Sequence, residues 1–314
     1  MFLISLATLI GWRVAISRND ADEVVSAKGH HYAFILTDED DLFWSSVYEG
    51  ACSEAEERNI YLENTGDTIG SGYDKYELMD VAGLSGVDGI IVKGEQSEKL
   101  DELIDAANEE GIPVVTGVTD CYGSDRCAFV GISDYDLGRE YARQVIKAAN
   151  SDMSRLVVLY DSKAGNGDYN LIYNGLTETL ANEGNHLNLE CETVYVDATG
   201  AFTLQETLQE LLNEDELADV MICMSEELTE ELYQCLVDRN KIGDVRVIGF
   251  YYSDLILKAI DKGAIFSTVT YDARELGKVS VRTLDEYLTE GFVNDYYTLD
   301  AKVINSTNVG EYLE

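Results

Sequence analysis

Six cysteines and three histidines are the soft and imidazole side chains available to this chain of 314 residues, and their spacing suits no metal. Cys52, Cys121, Cys127, Cys191, Cys223 and Cys235 form no CxxC pair, and His30, His31 and His186 do not group with them. A zinc site or an iron–sulfur cluster needs ligands in closer sets. Nucleophilic chemistry is no better served. There is no GxSxG elbow, no phosphate-cradling glycine loop and no dinucleotide fingerprint, and no His stands near a plausible Ser or Cys nucleophile. A carboxylate pair for glycoside hydrolysis could be drawn from 60 acidic side chains, but composition alone supplies such pairs. The expectation is a protein that is no enzyme and needs no cofactor or metal.

The chemistry that remains is recognition. Phe43 and Trp44 adjoin in a stretch of small polar residues that leads into a helix, where an aromatic pair either faces a ligand or anchors the loop. A sugar presents an apolar C–H face to such rings and a polar rim that needs hydrogen-bond partners once buried. Glu95 ends the apolar run GIIV, and open parallel sheets bind ligands at strand ends. Its alternative role is to start or cap the helix after it.

Positioning such residues takes a large scaffold. The length suits two domains, and 46% hydrophobic with 26% charged residues is an ordinary globular mixture. Lys and Arg total 22, so the net charge is -38, a field that repels nucleic acid. From Tyr32 short apolar runs alternate with amphipathic ones. YAFIL, GIIV, PVVTG and AFVGIS read as strands, with helices over 44–58, 75–82 and 97–110. The rhythm restarts with a helix over 135–149, then LVVLY, ETVYV, VMICM and VRVIGF with helices between them. FSTVTY, a helix over 273–290 and a single strand near 298–304 come last, too few for a third domain. Strands alternating with helices specify an α/β fold with parallel sheets, here two units.

In that order and spacing, VDGIIVKGE, GIPVVTG, FVGISDYDLGREYA, ADVMICMSEELTEELYQCL, VRVIGFYYSD and STVTYDARELGKVSVRTL make the sequence resemble the type I periplasmic binding proteins. The likeness is greatest to the ribose- and galactose-type sugar receptors, which share their fold with LacI-type effector domains. It covers about residues 32–304 and implies two Rossmann-like lobes joined by a three-crossover hinge. Carried over, lobe one takes 32–133 plus 272–296 and lobe two takes 134–271 plus 297–314. The crossovers fall near Ser133–Asp134, Tyr271–Asp272 and Tyr297.

The resemblance also implies a cleft. Phe43 and Trp44 fall at the family's two aromatic positions and Asp41 at its first-loop Asn. Val118 and Thr119 stand where many sugar receptors carry an Asp-Arg pair, with Asp120 next. Tyr169 and Asn170 replace an Arg, Ser225-Glu226 stands for Asn-Asp, and Tyr251 replaces an Asp. Tyr271 replaces a polar residue at the second crossover, with Asp272 beside it. Rings and carboxylates survive while the arginines are lost, which disfavours an anionic ligand. A neutral carbohydrate or polyol is the first expectation, and a cationic or amino-bearing ligand the second. The implied function is capture with hinge closure for an ABC importer, or sensing for a membrane kinase or chemoreceptor, as a monomer. A DNA-binding regulator would need a helix-turn-helix that the 30 or so residues before Tyr32 do not supply.

Residues 1–14 are apolar but short for a span, and 17–29 read as a polar linker. The start is a clipped anchor or late-assigned start, an atypical signal, or a plain hydrophobic element, and extracytoplasmic placement is the expectation. Cys121 and Cys127 are either free or bridged.

Overall fold

A computed structural model of the chain describes residues 29–37, 42–70, 72–161, 168–196, 201–213 and 217–313. The apolar start and most of the linker fall outside them.

Two six-stranded sheets organise the chain. The first holds β1 (His31–Phe34), β2 (Tyr61–Asn64), β3 (Gly89–Lys93), β4 (Val114–Gly117), β5 (Ala128–Gly131) and β11 (Tyr296–Thr298), in the order β11-β5-β4-β3-β1-β2. All its pairings are parallel. The second holds β6 (Arg155–Asp161), β7 (Glu190–Val196), β8 (Val220–Cys223), β9 (Arg246–Phe250), β10 (Ser267–Thr270) and β12 (Lys302–Asn305), in the order β12-β10-β9-β8-β6-β7. Only its edge strand β12 is antiparallel, beside β10. β3, β4, β5, β8 and β10 are buried on both faces or nearly so, as parallel strands covered by helices must be.

The helices are α1 (Leu42–Glu57), α2 (Thr65–Ile69), α3 (Lys75–Leu84), α4 (Glu98–Glu109), α5 (Asp134–Ala148), α6 (Asp168–Glu183), α7 (Ala201–Leu211), α8 (Glu226–Asp238), α9 (Asp254–Asp261) and α10 (Ala273–Glu290). Most open on a short side chain that accepts from the first turn: Asp74, Ser97, Ser133, Ser225, Ser253 and Asp272 cap α3, α4, α5, α8, α9 and α10. Each cap from Ser97 onward follows its strand within two to four residues, so it helps set which residues stand at the strand's carboxyl end. The sequence did not announce α2, which Asn64 caps.

Two helix pairs pack backbone to backbone. A Cβ on Gly277 would stand 1.9 Å from the Val47 carbonyl oxygen, and one on Gly138 would stand 2.1 Å from that of Ile172. Glycine at these positions lets α1 close on α10 and α5 on α6.

The chain passes between the sheets three times, at 132–133, 271–272 and 299–301. The single strand expected near 298–304 is instead two. Tyr296–Thr298 pairs with Phe129–Gly131 in the first sheet, and Lys302–Asn305 pairs with Ser267–Thr270 in the second. Tyr297 and Thr298 therefore belong with the first lobe, and the third passage comes after Thr298. The largest core cluster runs from Phe34 and Val115 in one lobe through Phe43, Tyr251 and Tyr271 to Val158 and Ile248 in the other.

Candidate functional site

The carboxyl ends of the two sheets meet around Phe43. It is the second residue of α1, only 2% exposed, and its partners come from the other lobe. Its ring lies 4.6 Å from that of Tyr251 and 4.9 Å from that of Tyr271, centroid to centroid, edge-on to both, with Phe250 at 6.2 Å. Edge-to-face pairing suits aromatic quadrupoles. The Tyr251 hydroxyl donates to Ser46 Oγ at 3.3 Å. Sequence reasoning missed Ser46 although a signal existed: it stands three residues after Phe43, on the same helical face.

Tyr251 and Tyr271 come directly after β9 and β10, which brings them together as neighbouring strand ends. The Tyr251 N–H donates to the Val269 carbonyl at 2.9 Å, and its own carbonyl accepts from the Thr268 hydroxyl. This bonding holds Tyr251 at φ 55, a left-handed conformation costly for a bulky residue. Val118 is a second such outlier, at φ 72 directly after β4. Both strained residues thus stand at strand ends on the side where the lobes meet.

Glu226 opens α8 after β8 and is half-buried, at the same end of the second sheet. Thr229 ties that helix to β9: its hydroxyl donates to the Ser225 carbonyl at 2.7 Å and accepts from the Phe250 N–H at 3.2 Å.

Three expected ligand residues, Trp44, Glu95 and Asp120, are engaged within the first lobe. Trp44 is fully buried inside the first lobe, where its Nε1 donates to the Ile35 carbonyl at 2.9 Å and its indole packs on Phe34 and against Gly117. Consecutive helical residues point about 100° apart, so a helix that turns Phe43 to the other lobe turns Trp44 into its own sheet. Glu95 accepts from Lys75, from the Tyr76 hydroxyl and, at 2.8 Å, from Ser97 Oγ, all in the first lobe. Burial alone would raise its carboxyl, but the Lys75 ammonium and these hydroxyls outweigh it and hold it below the usual range. Asp120 forms a bidentate pair with Arg126, one contact being 2.7 Å from Nη2 to Oδ2. Asn170 lies exposed in the first turn of α6. Tyr169 belongs to that turn as well, and Asp41 lies outside the described residues.

Asp272 caps α10 by accepting from the Glu275 N–H at 3.0 Å and also accepts from Lys302 Nζ at 3.0 Å. It therefore links the second passage to the strand just after the third. Burial opposes its ionisation, yet the Glu275 amide and Lys302 hold its carboxyl low. Cys121 and Cys127 are free thiols, and burial pushes both up to about 12. Among the described residues no helix is long and apolar enough to cross a membrane.

Residues 32–291 match the family described as the periplasmic binding protein domain. No curated protein matches the chain. Among solved structures, it is similar to GanP, a glucose-galactose binding protein from Geobacillus stearothermophilus, with 20% identity, a TM-score of 0.78 and coverage of 90% of this chain and 99% of that one. AraP, an arabinose binding protein from the same organism, gives 19%, 0.75, 91% and 100%. A complex named XylFII-LytSN gives 22%, 0.74, 89% and 98%. Identities this low speak to the fold alone, while the family match spans most of the chain. With two parallel-dominant α/β lobes of the type I form, the chain belongs to the periplasmic binding protein domain family.

Proposed function

We propose that this protein is an extracytoplasmic receptor that captures a small neutral carbohydrate or related polyol between its lobes and reports capture by hinge closure. The observation that carries this reading is the ring contact of Phe43 with Tyr251 and Tyr271, which joins one lobe to the other at the carboxyl ends of both sheets. A ligand that parts these buried rings meets them with its C–H surface, with Ser46 and Glu226 at the same ends for its hydroxyls. Contacts made to both lobes favour the closed form, and the three chain passages are the segments that must absorb the motion. GanP and AraP bind sugars by name, which supports the ligand class.

Delivery to a membrane permease is the first reading of the step after capture. A second, capture read by another protein that senses closure, is favoured by the likeness to XylFII in its complex with LytSN. Family membership supports placement outside the cytoplasm.

The test is a thermal-shift screen against monosaccharides, disaccharides, polyols, polyamines and amino acids, with calorimetry on each hit. Binding to the folded form raises the melting temperature by mass action. Stabilisation by one sugar class supports the proposal. Stabilisation by polyamines alone, or by none of the library, defeats it.

A further inference from the structure

β7 (Glu190–Val196) is an outer strand of the second sheet and pairs on one side only, with β6. At seven residues it is longer than the other outer strands β2, β11 and β12, which run four, three and four. The Glu190 N–H donates to the Ser154 carbonyl at 2.7 Å, and along a parallel ladder every second residue bonds the same neighbour. Glu190, Glu192, Val194 and Val196 therefore bond β6, and the N–H and C=O of Cys191 and Thr193 point out of the sheet. Those outward groups meet no partner among the described residues. At the far edge of the same sheet, by contrast, the Asn308 side chain takes both the Val303 carbonyl and the Asn305 N–H, each at 2.8 Å. An open edge of this length is a template for another strand.

An apolar socket adjoins it. Thr177, Leu180 and Ala181 of α6, with Leu187, Leu189 and Cys191, line a pocket of about 230 Å³. Cys191 thus belongs to both features. Side chains of a strand alternate between faces, so a strand laid beside Cys191 and Thr193 sends every second side chain over α6, where the socket takes one aliphatic group. Glu190 and Glu192 stand on the opposite face, the one that Val194 and Val196 turn to the second core cluster.

Charge decides the occupant. Arg155 pairs with Glu192 and Arg143 with Glu183, while the exposed Glu190 and Glu178 have no cation within ion-pair reach among the described residues. The surplus at this edge is negative, as is the whole chain at -38. A second copy pairing edge to edge would bring the same glutamates together, and like charges across a ladder destabilise it. A basic strand is attracted by both the local surplus and the field of the molecule. We infer that the β7 edge is a docking surface for an extended basic segment of another protein. The segment adds a strand beside β7, seats one aliphatic side chain between α6 and Leu187, and sets a cationic side chain beside Glu190. This surface is separate from the interlobe region, and its role holds whatever that region captures.

The probe is the end-blocked peptide KVKLKVK, titrated into the full chain at physiological salt, with KKKKVLV as a control of equal charge and composition. Affinity is read by fluorescence anisotropy, and the edge itself by hydrogen exchange. The alternating peptide is expected to bind saturably and to slow exchange at the Cys191 and Thr193 amides by about tenfold or more. Thr193→Pro removes an outward N–H and leaves the β6 ladder whole, a change that edge strands tolerate. It should weaken binding by about tenfold or more at unchanged melting temperature. Leu187→Asn, which spoils the socket, and Glu190→Lys, which reverses a charge, should each weaken it by about threefold or more, so the inference stays testable if the proline variant does not fold. Equal binding of KKKKVLV overturns the inference, because it shows attraction by charge alone. So do exchange rates at 191 and 193 that the peptide leaves unchanged, unaltered affinity in the Leu187 and Glu190 variants, or self-association of the free chain that protects those two amides.

Discussion

The ring of Phe43 meets the ring of Tyr251 edge-on, with planes at 82° and centroids 4.6 Å apart, and this contact joins a helix of one lobe to a strand end of the other. Beside it the Tyr251 hydroxyl reaches Ser46, one helical turn beyond Phe43. A ligand held between the lobes must share or replace this contact, so its energy is coupled to closure.

Phe43→Ala is expected to weaken binding of the sugar found in the screen by about 1–3 kcal/mol, through lost stacking and apolar burial. Because the partners of Phe43 include residues of the opposite lobe, the free variant should also be more open in small-angle scattering. Unchanged affinity in calorimetry would remove Phe43 from the ligand's path.

Trp44→Ala should act on the fold instead. Removing a fully buried indole leaves a cavity and takes the indole N–H away from the Ile35 carbonyl, at a cost of about 3–5 kcal/mol. Urea denaturation reads this directly. A variant as stable as the parent, yet deficient in binding, would return Trp44 to the ligand site where the sequence placed it.

Val118→Asn tests the strain after β4. Asn tolerates φ near 72° better than a β-branched residue does, so a gain of about 0.5–1 kcal/mol is expected, less what the half-buried side chain contributes. A clear loss of stability in denaturant would mean that valine packing outweighs the backbone strain.

Glu54 governs part of the acid limit. It is buried between Arg282 and Arg58, and the Arg282 hydrogen bond, helped by Arg58, holds its carboxyl below the usual range against the opposing effect of burial. A carboxyl lowered in the folded state adds stability above its unfolded value, near pH 4.3, and loses it as pH falls through the folded value. Glu54→Gln should cost about 1–3 kcal/mol at pH 7 and flatten the decline below pH 4.3. Parallel stability curves for parent and variant across that range would contradict this.

Cys121 and Cys127 should resist alkylation in the native protein at neutral pH, because buried thiols pushed up to about 12 hold almost no thiolate. Mass spectrometry should find both labelled once the protein is unfolded without reductant. Failure to label them then would reveal a bridge.

The alternation of apolar strands and amphipathic helices was legible in the residues, because each pattern reports a local period: runs such as GIIV and LVVLY, and the 273–290 helix. Family order then implied two lobes. What local pattern could not carry was the division of 296–305 between two sheets, since the partners Phe129–Gly131 and Ser267–Thr270 are remote in sequence.

The same limit governs the site. Sequence nominated Phe43, Tyr251 and Tyr271, which tertiary packing brings within ring contact. It nominated Trp44 on equal grounds, and a rotation of one helical residue buried it. It offered Glu95 as a ligand acceptor or as the start of the next helix and placed Asp120 in the cleft, and folding gave them Lys75 and Arg126. Residue type determined which side chains could meet a sugar. Only the three-dimensional arrangement decided which of them a neighbouring charge or the core had already taken, because burial and pairing depend on distances that sequence separation does not encode.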